Sequence, residues 1–377
     1  MTIRSALRLT AIALLVGLVA GCGGGDAANS KPGTGSGNAA SGGKKRMIFL
    51  INTPDPYWEA NRQGLMEGAK TYDLDGAGLS IEQESGGGST EKQVDKLRQY
   101  ATQDDIVAVG ISPWDFDSLA IADELRKLQK KGVKVITVDN DMNPEKYGDS
   151  RSFYIGTDNL VGGEALGTGL KAVLEGKGVK AGQYAQFVGN TESDNARKRM
   201  DGVKAAIGSA YEEVTREPDG GEAKECAINV ANVLQNYSDI VCLVGIWAYN
   251  APAIADVVKK NKLEDKIVVG CFDAGELSIA AMVDKKIDVM VVQNPFDMGV
   301  QTVRLLKAMV QNDESEINTM FPNQGKPGGD VYTTGLRVVV PDESSPVKKE
   351  LFDPASVEYM TLPVFREWLT KFNLKSS

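Results

Sequence analysis

The sequence predicts an α/β protein whose body folds into two doubly wound lobes, each built on a parallel sheet. From Met47 onward, short apolar runs alternate with amphipathic stretches, as in parallel sheets connected by helical crossovers. About ten such runs occur in a chain that exceeds one domain of ordinary size. A run that ends near Gly156 is followed by a glycine-rich helix start, which indicates a break between the two lobes.

The individual elements follow from where the apolar runs begin and end. The predicted strands are Met47–Asn52, Leu79–Gln83, Ile106–Ile111, Lys134–Val138, Ser152–Gly156, Gly182–Val188, Glu213–Arg216, Ile240–Ile246, Ile267–Cys271 and Val289–Gln293. The predicted helices include Tyr57–Tyr72, Thr90–Gln103, Ser118–Lys131, Ala251–Lys260 and, last in the chain, Pro363–Phe372. Thr90 and Gln93 have the spacing of a capping box, and Gly132 ends the third of these helices.

The first residues indicate export. Two arginines precede the apolar run Leu9–Val19, which is too short for a permanent membrane helix, so we predict a signal peptide over residues 1–21. The run leads into Ala-Gly-Cys, which resembles a bacterial lipobox, and Cys22 is the predicted lipidation site. An ordinary signal sequence with a chance cysteine is the alternative. Residues 22–45 are predicted to form a flexible tether, because most of this segment consists of Gly, Ala, Ser and Asn.

Composition excludes several classes of function. The net charge is −9 and there is no basic stripe, so we expect no nucleic-acid partner. The absence of histidine excludes Ser-His and Cys-His catalysis and most zinc sites, so we expect no enzyme activity, no metal and no cofactor. A carboxylate pair such as Asp55 and Asp273 leaves glycoside hydrolysis as the enzymatic alternative. The remaining cysteines are expected to be buried thiols, with a Cys226–Cys242 disulfide left open.

The loops that follow the predicted strands share one chemical character. In doubly wound sheets, ligands bind outside the carboxyl ends of the strands. These loops combine Asp, Asn, Gln and Arg with large aromatic rings, and they are residues 53–58, 112–115, 139–141, 189–197, 247–250, 272–273 and 293–296. Sugar hydroxyls both donate and accept hydrogen bonds, and the apolar faces of a pyranose stack on aromatic rings. The loops therefore predict a sugar-binding site.

Several stretches resemble the ribose/galactose type of periplasmic sugar-binding proteins of ABC transporters, which have the type I periplasmic binding protein fold. The matching stretches are Asp55-Pro-Tyr-Trp58, Ile136-Thr-Val-Asp139, Thr157-Asp-Asn-Leu-Val-Gly-Gly163, Asn195-Ala-Arg-Lys-Arg199, Val269-Gly-Cys-Phe-Asp273 and Val292-Gln-Asn-Pro295. The resemblance implies a ligand cleft lined by Asp55, Tyr57, Trp58, Asp139, Arg197, Asp273 and Gln293. It also implies a three-stranded hinge near Thr157, Gln293 and Tyr332–Gly335. The N-terminal lobe would then hold residues 46–157 and about 294–332, and the C-terminal lobe residues 158–293 and about 335–377.

The chain also departs from that family in its ligand loops. Asn140 stands where ribose-type members carry Arg, and Tyr249-Asn250 replaces their usual Asn-Asp pair, so Asn140, Tyr249 and Asn250 join the expected ligand residues. Trp114 and Trp247 are secondary candidates. Residues two apart do not share a helix face, so at most one of Arg197 and Arg199 is expected to point into the cleft, and Arg197 is preferred. The larger rings of the first loop and the lost arginine disfavour ribose as the ligand.

Taken together, these features predict a lipid-anchored receptor, in the periplasm or at the cell surface, that captures a pentose or hexose. It would deliver the sugar to the permease subunits of an ABC-type importer. A receptor that presents a bound sugar or polyol to a sensor kinase or chemoreceptor is the alternative. We expect a monomer that touches the membrane only through the lipid on Cys22.

Overall fold

Two β-sheets organise the part of the protein that the computed structural model describes, residues 43–377. The predicted signal peptide, Cys22 and most of the predicted tether lie outside the described residues. The first strand begins at Lys45, one residue before the predicted start of the first lobe. Within residues 43–377, no helix is long and apolar enough to cross a membrane.

Strands and helices alternate along most of the described chain. The strands are β1 (Lys45–Ile51), β2 (Leu79–Ser85), β3 (Ile106–Ile111), β4 (Lys134–Val138), β5 (Phe153–Gly156), β6 (Gly182–Val188), β7 (Tyr211–Pro218), β8 (Ile240–Gly245), β9 (Val268–Phe272), β10 (Val289–Val292), β11 (Val331–Thr333), β12 (Leu336–Val340) and β13 (Val357–Thr361). The helices are α1 (Tyr57–Thr71), α2 (Thr90–Tyr100), α3 (Leu119–Lys130), α4 (Pro144–Tyr147), α5 (Asn159–Gly176), α6 (Asp194–Ile207), α7 (Ala223–Asn236), α8 (Asn250–Lys260), α9 (Glu276–Val283), α10 (Pro295–Gln311), α11 (Glu314–Met320) and α12 (Leu362–Lys371).

The sheets have the strand orders β11-β5-β4-β3-β1-β2 and β13-β12-β10-β9-β8-β6-β7. The predicted two-lobed α/β fold and its ten strands are confirmed, and β11, β12 and β13 are additional. The first sheet is wholly parallel, whereas β12 runs antiparallel to β10. The turn between β11 and β12 holds two residues and no helical crossover. The chain therefore enters the second sheet from the end at which β6 to β10 leave it, and β13 runs parallel to β12.

The chain passes between the two sheets three times. It does so after β5, after β10 and between β11 and β12. Hydrogen bonds join these passages to one another: the Thr157 hydroxyl donates to Gln293 Oε1 at 2.8 Å, and the Thr334 backbone N–H donates to the Gly156 carbonyl at 2.9 Å. The three adjacent passages are the hinge of the two-lobed fold.

Close helix packing fixes α6, which carries part of the site. A Cβ on Gly163 of α5 would lie 2.2 Å from the carbonyl oxygen of Arg199, and a Cβ on Gly202 of α6 would lie 2.4 Å from that of Leu160. Only glycine permits this approach of the two backbones. The glycine-rich start of α5 therefore holds the backbone of α6 in place.

One predicted cap is displaced by a residue. The Ser89 hydroxyl, rather than that of Thr90, accepts a hydrogen bond from the Lys92 backbone N–H at 3.3 Å. Ser89 has the extended conformation of an N-cap residue and Thr90 is the first helical residue. The helix still starts where the sequence predicts.

Candidate functional site

A cleft of about 790 Å³ lies at the carboxyl ends of the strands. Its deep part is lined by residues that follow β1, β4, β8 and β9, together with residues of α6 and of the hinge. This position agrees with the rule that ligands of doubly wound sheets bind outside the strand ends. The predicted site residues that line it are Asp55, Tyr57, Trp58, Asp139, Asn140, Trp247, Tyr249, Asp273 and Gln293.

Two aspartates occupy equivalent positions in the two sheets. Asp139 follows β4 with φ 67°, and Asp273 follows β9 with φ 66°. The backbone N–H of each donates to the next strand, Asp139 to Ile155 at 2.9 Å and Asp273 to Val291 at 2.8 Å. Left-handed backbone is unfavourable for most L-residues, is more accessible to Asp and Asn, and often marks functional sites. The same local geometry thus sets one carboxylate in each wall of the cleft.

The first wall is built on the start of α1. The Tyr57 hydroxyl donates to Asp139 Oδ1 at 2.8 Å. The indole N–H of Trp58 donates to Asn52 Oδ1 at 3.1 Å, and the Tyr57 and Trp58 rings meet edge to face with centroids 5.0 Å apart. Asp55 is exposed, and its Oδ1 accepts from the Tyr57 backbone N–H at 2.8 Å. Tyr57 is therefore the side chain that joins this loop to the cleft carboxylate of Asp139.

The prediction that Arg197 lies in the cleft is wrong, and Arg199 lies there instead. The side chain of Arg197 is 51% exposed and pairs with Asp194 at 2.8 Å. Arg199 is 2% exposed, and its Nη1 lies 3.5 Å from Asp273 Oδ2. The reason is helical phase: two residues along an α-helix turn by about 200°. Arg199 shares the buried face of α6 with Ala196, Met200 and Val203.

Arg199 is held in place through its Nε and Nη1 atoms and through its planar face. Its Nε donates to Asn159 Oδ1 at 2.9 Å and its Nη1 to the Ile246 carbonyl at 3.2 Å. The guanidinium carbon lies 4.0 Å from the centre of the Phe272 ring, within the range of a cation–π contact. These contacts fix the guanidinium beside Asp273 in the lining of the cleft.

Gln293 connects the site to the hinge. It is 5% exposed, and its Nε2 donates to Asp273 Oδ1 at 2.9 Å while its Oε1 accepts from the Thr157 hydroxyl. One side chain thus bridges two hinge passages and a cleft carboxylate. A movement of the lobes that displaces Gln293 would therefore change the hydrogen bonding of Asp273.

Asn250, which the sequence placed among the ligand residues, does not line the cleft. Asn250 is fully buried and absent from the cleft lining. Its Oδ1 accepts from the Trp247 backbone N–H at 2.9 Å, and its Nδ2 donates to Asp219 Oδ2 at 2.7 Å. Asp219 also accepts from the Tyr249 hydroxyl. Asn250 and Asp219 therefore hold the loop that presents Trp247 and Tyr249.

Of the two secondary candidates, Trp247 lines the cleft and Trp114 does not. Trp114 is 46% exposed and does not line the cleft. Its backbone N–H is held by Gln93 Oε1 at 2.7 Å, which keeps its loop against α2. Trp247 lines the cleft, and its six-membered ring packs over Gly189, where a Cβ would come within 2.2 Å of Cζ3. Glycine at position 189 is what makes room for this indole.

Burial alters the acid–base properties of the central groups. Burial raises the pKa of Asp139 to about 6, although the Tyr57 hydroxyl and the Arg199 guanidinium favour its ionised form. Burial likewise raises the pKa of Asp273, while Arg199 and Gln293 oppose the shift. Burial next to these carboxylates also raises the pKa of Tyr57. The hydroxyl of Tyr57 is thus a hydrogen-bond donor at all ordinary pH values.

Some lining residues escaped the sequence-based prediction. Asn195 belongs to the same helix start as Arg199, so the spacing of α6 could have indicated both. Ser376 and Ser377 also line the cleft, and Ser377 exchanges two backbone hydrogen bonds with Ala274, of 3.0 and 3.2 Å. No local signal predicts that pairing, because it joins segments about a hundred residues apart in the chain.

Comparisons with known proteins agree with this architecture. A family model described as the periplasmic binding protein domain matches residues 47–314. A glucose-galactose binding protein from Geobacillus stearothermophilus has 19% identity and a TM-score of 0.62, and the match covers 78% of this chain and 96% of that one.

Two further solved structures are similar. An ABC transporter periplasmic solute binding protein from Actinobacillus succinogenes with bound D-allose has 21% identity and a TM-score of 0.65, over 82% of this chain and 99% of that one. An ABC transporter solute binding protein from Burkholderia graminis in complex with D-arabinose has 21% identity and a TM-score of 0.64, over 81% and 98%. The chain belongs to the periplasmic binding protein family and has its type I fold.

Proposed function

We propose that this protein is a lipid-anchored receptor that captures a monosaccharide between its lobes and delivers it to an ABC-type importer. The observation that carries the proposal is the composition of the deep cleft. Carboxylates from both sheets, Asp139 and Asp273, lie there with the Arg199 guanidinium and with the rings of Tyr57 and Trp247. Acceptor-only, donor-only and aromatic groups together are what the hydroxyls and C–H faces of a pyranose require.

The hinge supports capture by closure. Gln293 hydrogen bonds to both Thr157 and Asp273, so it joins the site to two passages between the sheets. Closure over a sugar would exclude water from its hydrogen bonds, which strengthens them. The neighbours that carry D-allose or D-arabinose share this fold, which favours a pentose or hexose as the ligand.

Membrane anchoring is the part of the proposal that rests on sequence alone. Cys22 directly follows a short apolar run and small residues, as a lipidated cysteine does. Cys22→Ala should move the protein from the membrane fraction to the soluble fraction. Wild-type protein found in the soluble fraction would contradict anchoring and leave ligand capture untouched.

A thermal-shift screen tests ligand capture directly. Pentoses, hexoses, amino sugars, inositols and sugar alcohols would be added to the purified protein at matched concentrations. A sugar at about 100 times its Kd adds about 2.7 kcal/mol to the free energy of unfolding, which raises the melting temperature by several degrees. Asp273→Asn keeps the side-chain size and tolerates the positive φ, and it should abolish the shift. A panel with no stabilising member would contradict the proposal.

Delivery to an importer has its own test. Binding protein loaded with the identified sugar should stimulate ATP hydrolysis by its partner permease–ATPase complex, and unloaded protein should not. Stimulation of a sensor kinase instead would support a signalling receptor. An unchanged concentration of the sugar after prolonged incubation would support binding without turnover.

A further inference from the structure

The deep cleft carries more negative than positive charge. Asp55, Asp139 and Asp273 face a single cation, Arg199, and all four belong to the cleft lining. The outer part of the lining is balanced, because Lys224 and Lys260 stand against Asp256 and Glu276. The excess of two negative charges therefore lies on the part of the lining that holds Asp139, Asp273 and the exposed Asp55.

Arg199 forms its ion pair with Asp273, and no cation of the described residues pairs with Asp139. Arg199 Nη1 approaches Asp273 Oδ2 at 3.5 Å, and no ion pair with Asp139 is formed among residues 43–377. Asp139 Oδ1 accepts from the neutral Tyr57 hydroxyl, and its Oδ2 accepts no hydrogen bond within those residues. The next residue, Asn140, is neutral and donates its amide to the Pro113 carbonyl at 3.3 Å.

Such a carboxylate is unfavourable in a cleft that closes. Buried charges in proteins are usually paired, and an unpaired one costs several kcal/mol. A neutral ligand that displaces water from Asp139 makes this cost larger unless its hydroxyls replace every lost hydrogen bond. A ligand that brings a positive charge removes the cost.

Unpaired polar atoms elsewhere in the lining independently indicate a polar ligand. Among residues 43–377, the Ser377 hydroxyl is buried without a hydrogen-bond partner, and this residue is 3% exposed. The Trp247 indole N–H and the Asn195 Oδ1 are also buried and have no partner in the described part of the chain. Buried polar atoms rarely lack partners. A donor, an acceptor and a hydroxyl around one cleft fit a ring with several hydroxyl groups.

Within the described residues, no group of three or more Asp, Glu, Cys or His side chains could hold a metal ion. An ammonium group needs fewer ligands, because each N–H bonds to one oxygen. Asp139 Oδ2 and the nearby Asp55 carboxylate are suitable acceptors. The geometry thus favours an organic cation.

We propose that the preferred ligand is an amino sugar whose ammonium group pairs with Asp139. The proposal rests on the proposed function and narrows its substrate class. The sugar ring would occupy the space between Tyr57 and Trp247, and Arg199 and Asp273 would bind its hydroxyls. The three unpaired polar atoms would bond to the ligand once the lobes close.

Calorimetric titration with matched sugars tests this proposal. D-glucosamine and D-galactosamine would be compared with D-glucose and D-galactose, and with their N-acetyl derivatives, which keep the substituent but lose the charge. Each amino sugar should bind at least about 10-fold more tightly than both neutral counterparts, the effect of one charge-assisted hydrogen bond. Asp139→Asn should remove this preference. Asp115→Asn, which alters an exposed residue outside the cleft lining, should preserve it.

The outcomes separate this proposal from the proposed function. Neutral hexoses or N-acetyl derivatives that bind as tightly as the amino sugars would overturn the amino-sugar proposal and leave sugar capture standing. A preference that survives Asp139→Asn would overturn the assigned partner. Failure of every amino sugar, pentose, hexose, inositol and sugar alcohol to bind would overturn both proposals.

Discussion

Replacing Asp139 by Asn is expected to stabilise the ligand-free protein at neutral pH while weakening its binding of ligand. Asn tolerates the left-handed backbone at this position, and its Oδ1 can accept the Tyr57 hydroxyl that Asp139 now accepts. The substitution therefore removes the charge and leaves the local geometry in place. Stability and binding should move in opposite directions, as at many sites where function requires a strained group.

The magnitude follows from the pKa of Asp139, which burial raises from 3.8 to about 6. At about 1.36 kcal/mol per pKa unit, ionisation in the folded protein costs about 3 kcal/mol, an upper limit because the side chain is partly exposed. The folded-state pKa lies above the unfolded one, so protonation stabilises the fold. This contribution is fully present below about pH 4 and is lost as the pH rises through about 6. The groups that set this pKa are Tyr57, Arg199, Asp273 and Asp55.

Urea denaturation followed by tryptophan fluorescence measures the effect. The gain from Asp139→Asn should be near zero at about pH 4 and should approach about 3 kcal/mol above about pH 7. Asp105→Asn is the matched control of opposite sign, because Arg46 lowers the pKa of Asp105 and its charge stabilises the fold. A gain for Asp139→Asn that is absent, or equal at all pH values, would refute the reasoning.

Two further predictions concern the support of the site. Gly189→Ala should displace the Trp247 indole, at an overpacking cost of about 1–3 kcal/mol in the free energy of unfolding, and should weaken ligand binding in a calorimetric titration. Gly148→Ala is the control and should bind ligand normally, because its Cβ would meet no atom of the described residues within 4 Å. Thr157→Val should leave Gln293 Oε1 without its buried donor and lower the free energy of unfolding by about 1–3 kcal/mol in urea, whereas Thr157→Ser should keep most of the stability. Equal behaviour within either pair would contradict the assigned contact.

The lobes and their strand-end loops could be predicted because they depend on local pattern. Apolar runs of strand length are visible in the sequence, and the carboxyl ends of parallel strands share an edge, so Asp139 and Asp273 could be assigned to one cleft. β12 was missed, and its antiparallel direction depends on the hinge turn before it rather than on its own composition. Its five buried residues alone do not distinguish parallel from antiparallel pairing.

Arg197 was placed in the cleft because the family resemblance was given more weight than the position of each arginine around the axis of α6. Ala196, Met200 and Val203 form the apolar stripe of α6, and Arg199 lies on that stripe whereas Arg197 does not. Asn250 was misassigned for a different reason. Its role depends on Asp219, thirty-one residues earlier in the chain, and a long-range partner of this kind leaves no local trace.

Titration of Arg199→Ala and Arg197→Ala with the sugar found in the thermal-shift screen tests the central claim most directly. Melting curves of both variants would first establish that they are folded, and Arg199→Lys would serve as the second variant because it keeps the charge and loses the planar fork. Arg199→Ala should lose at least about 10-fold in affinity, since a charge-assisted hydrogen bond contributes about 1.5–3 kcal/mol. Arg197→Ala should bind like the wild type. Equal affinities for the two folded alanine variants would contradict the binding site described above.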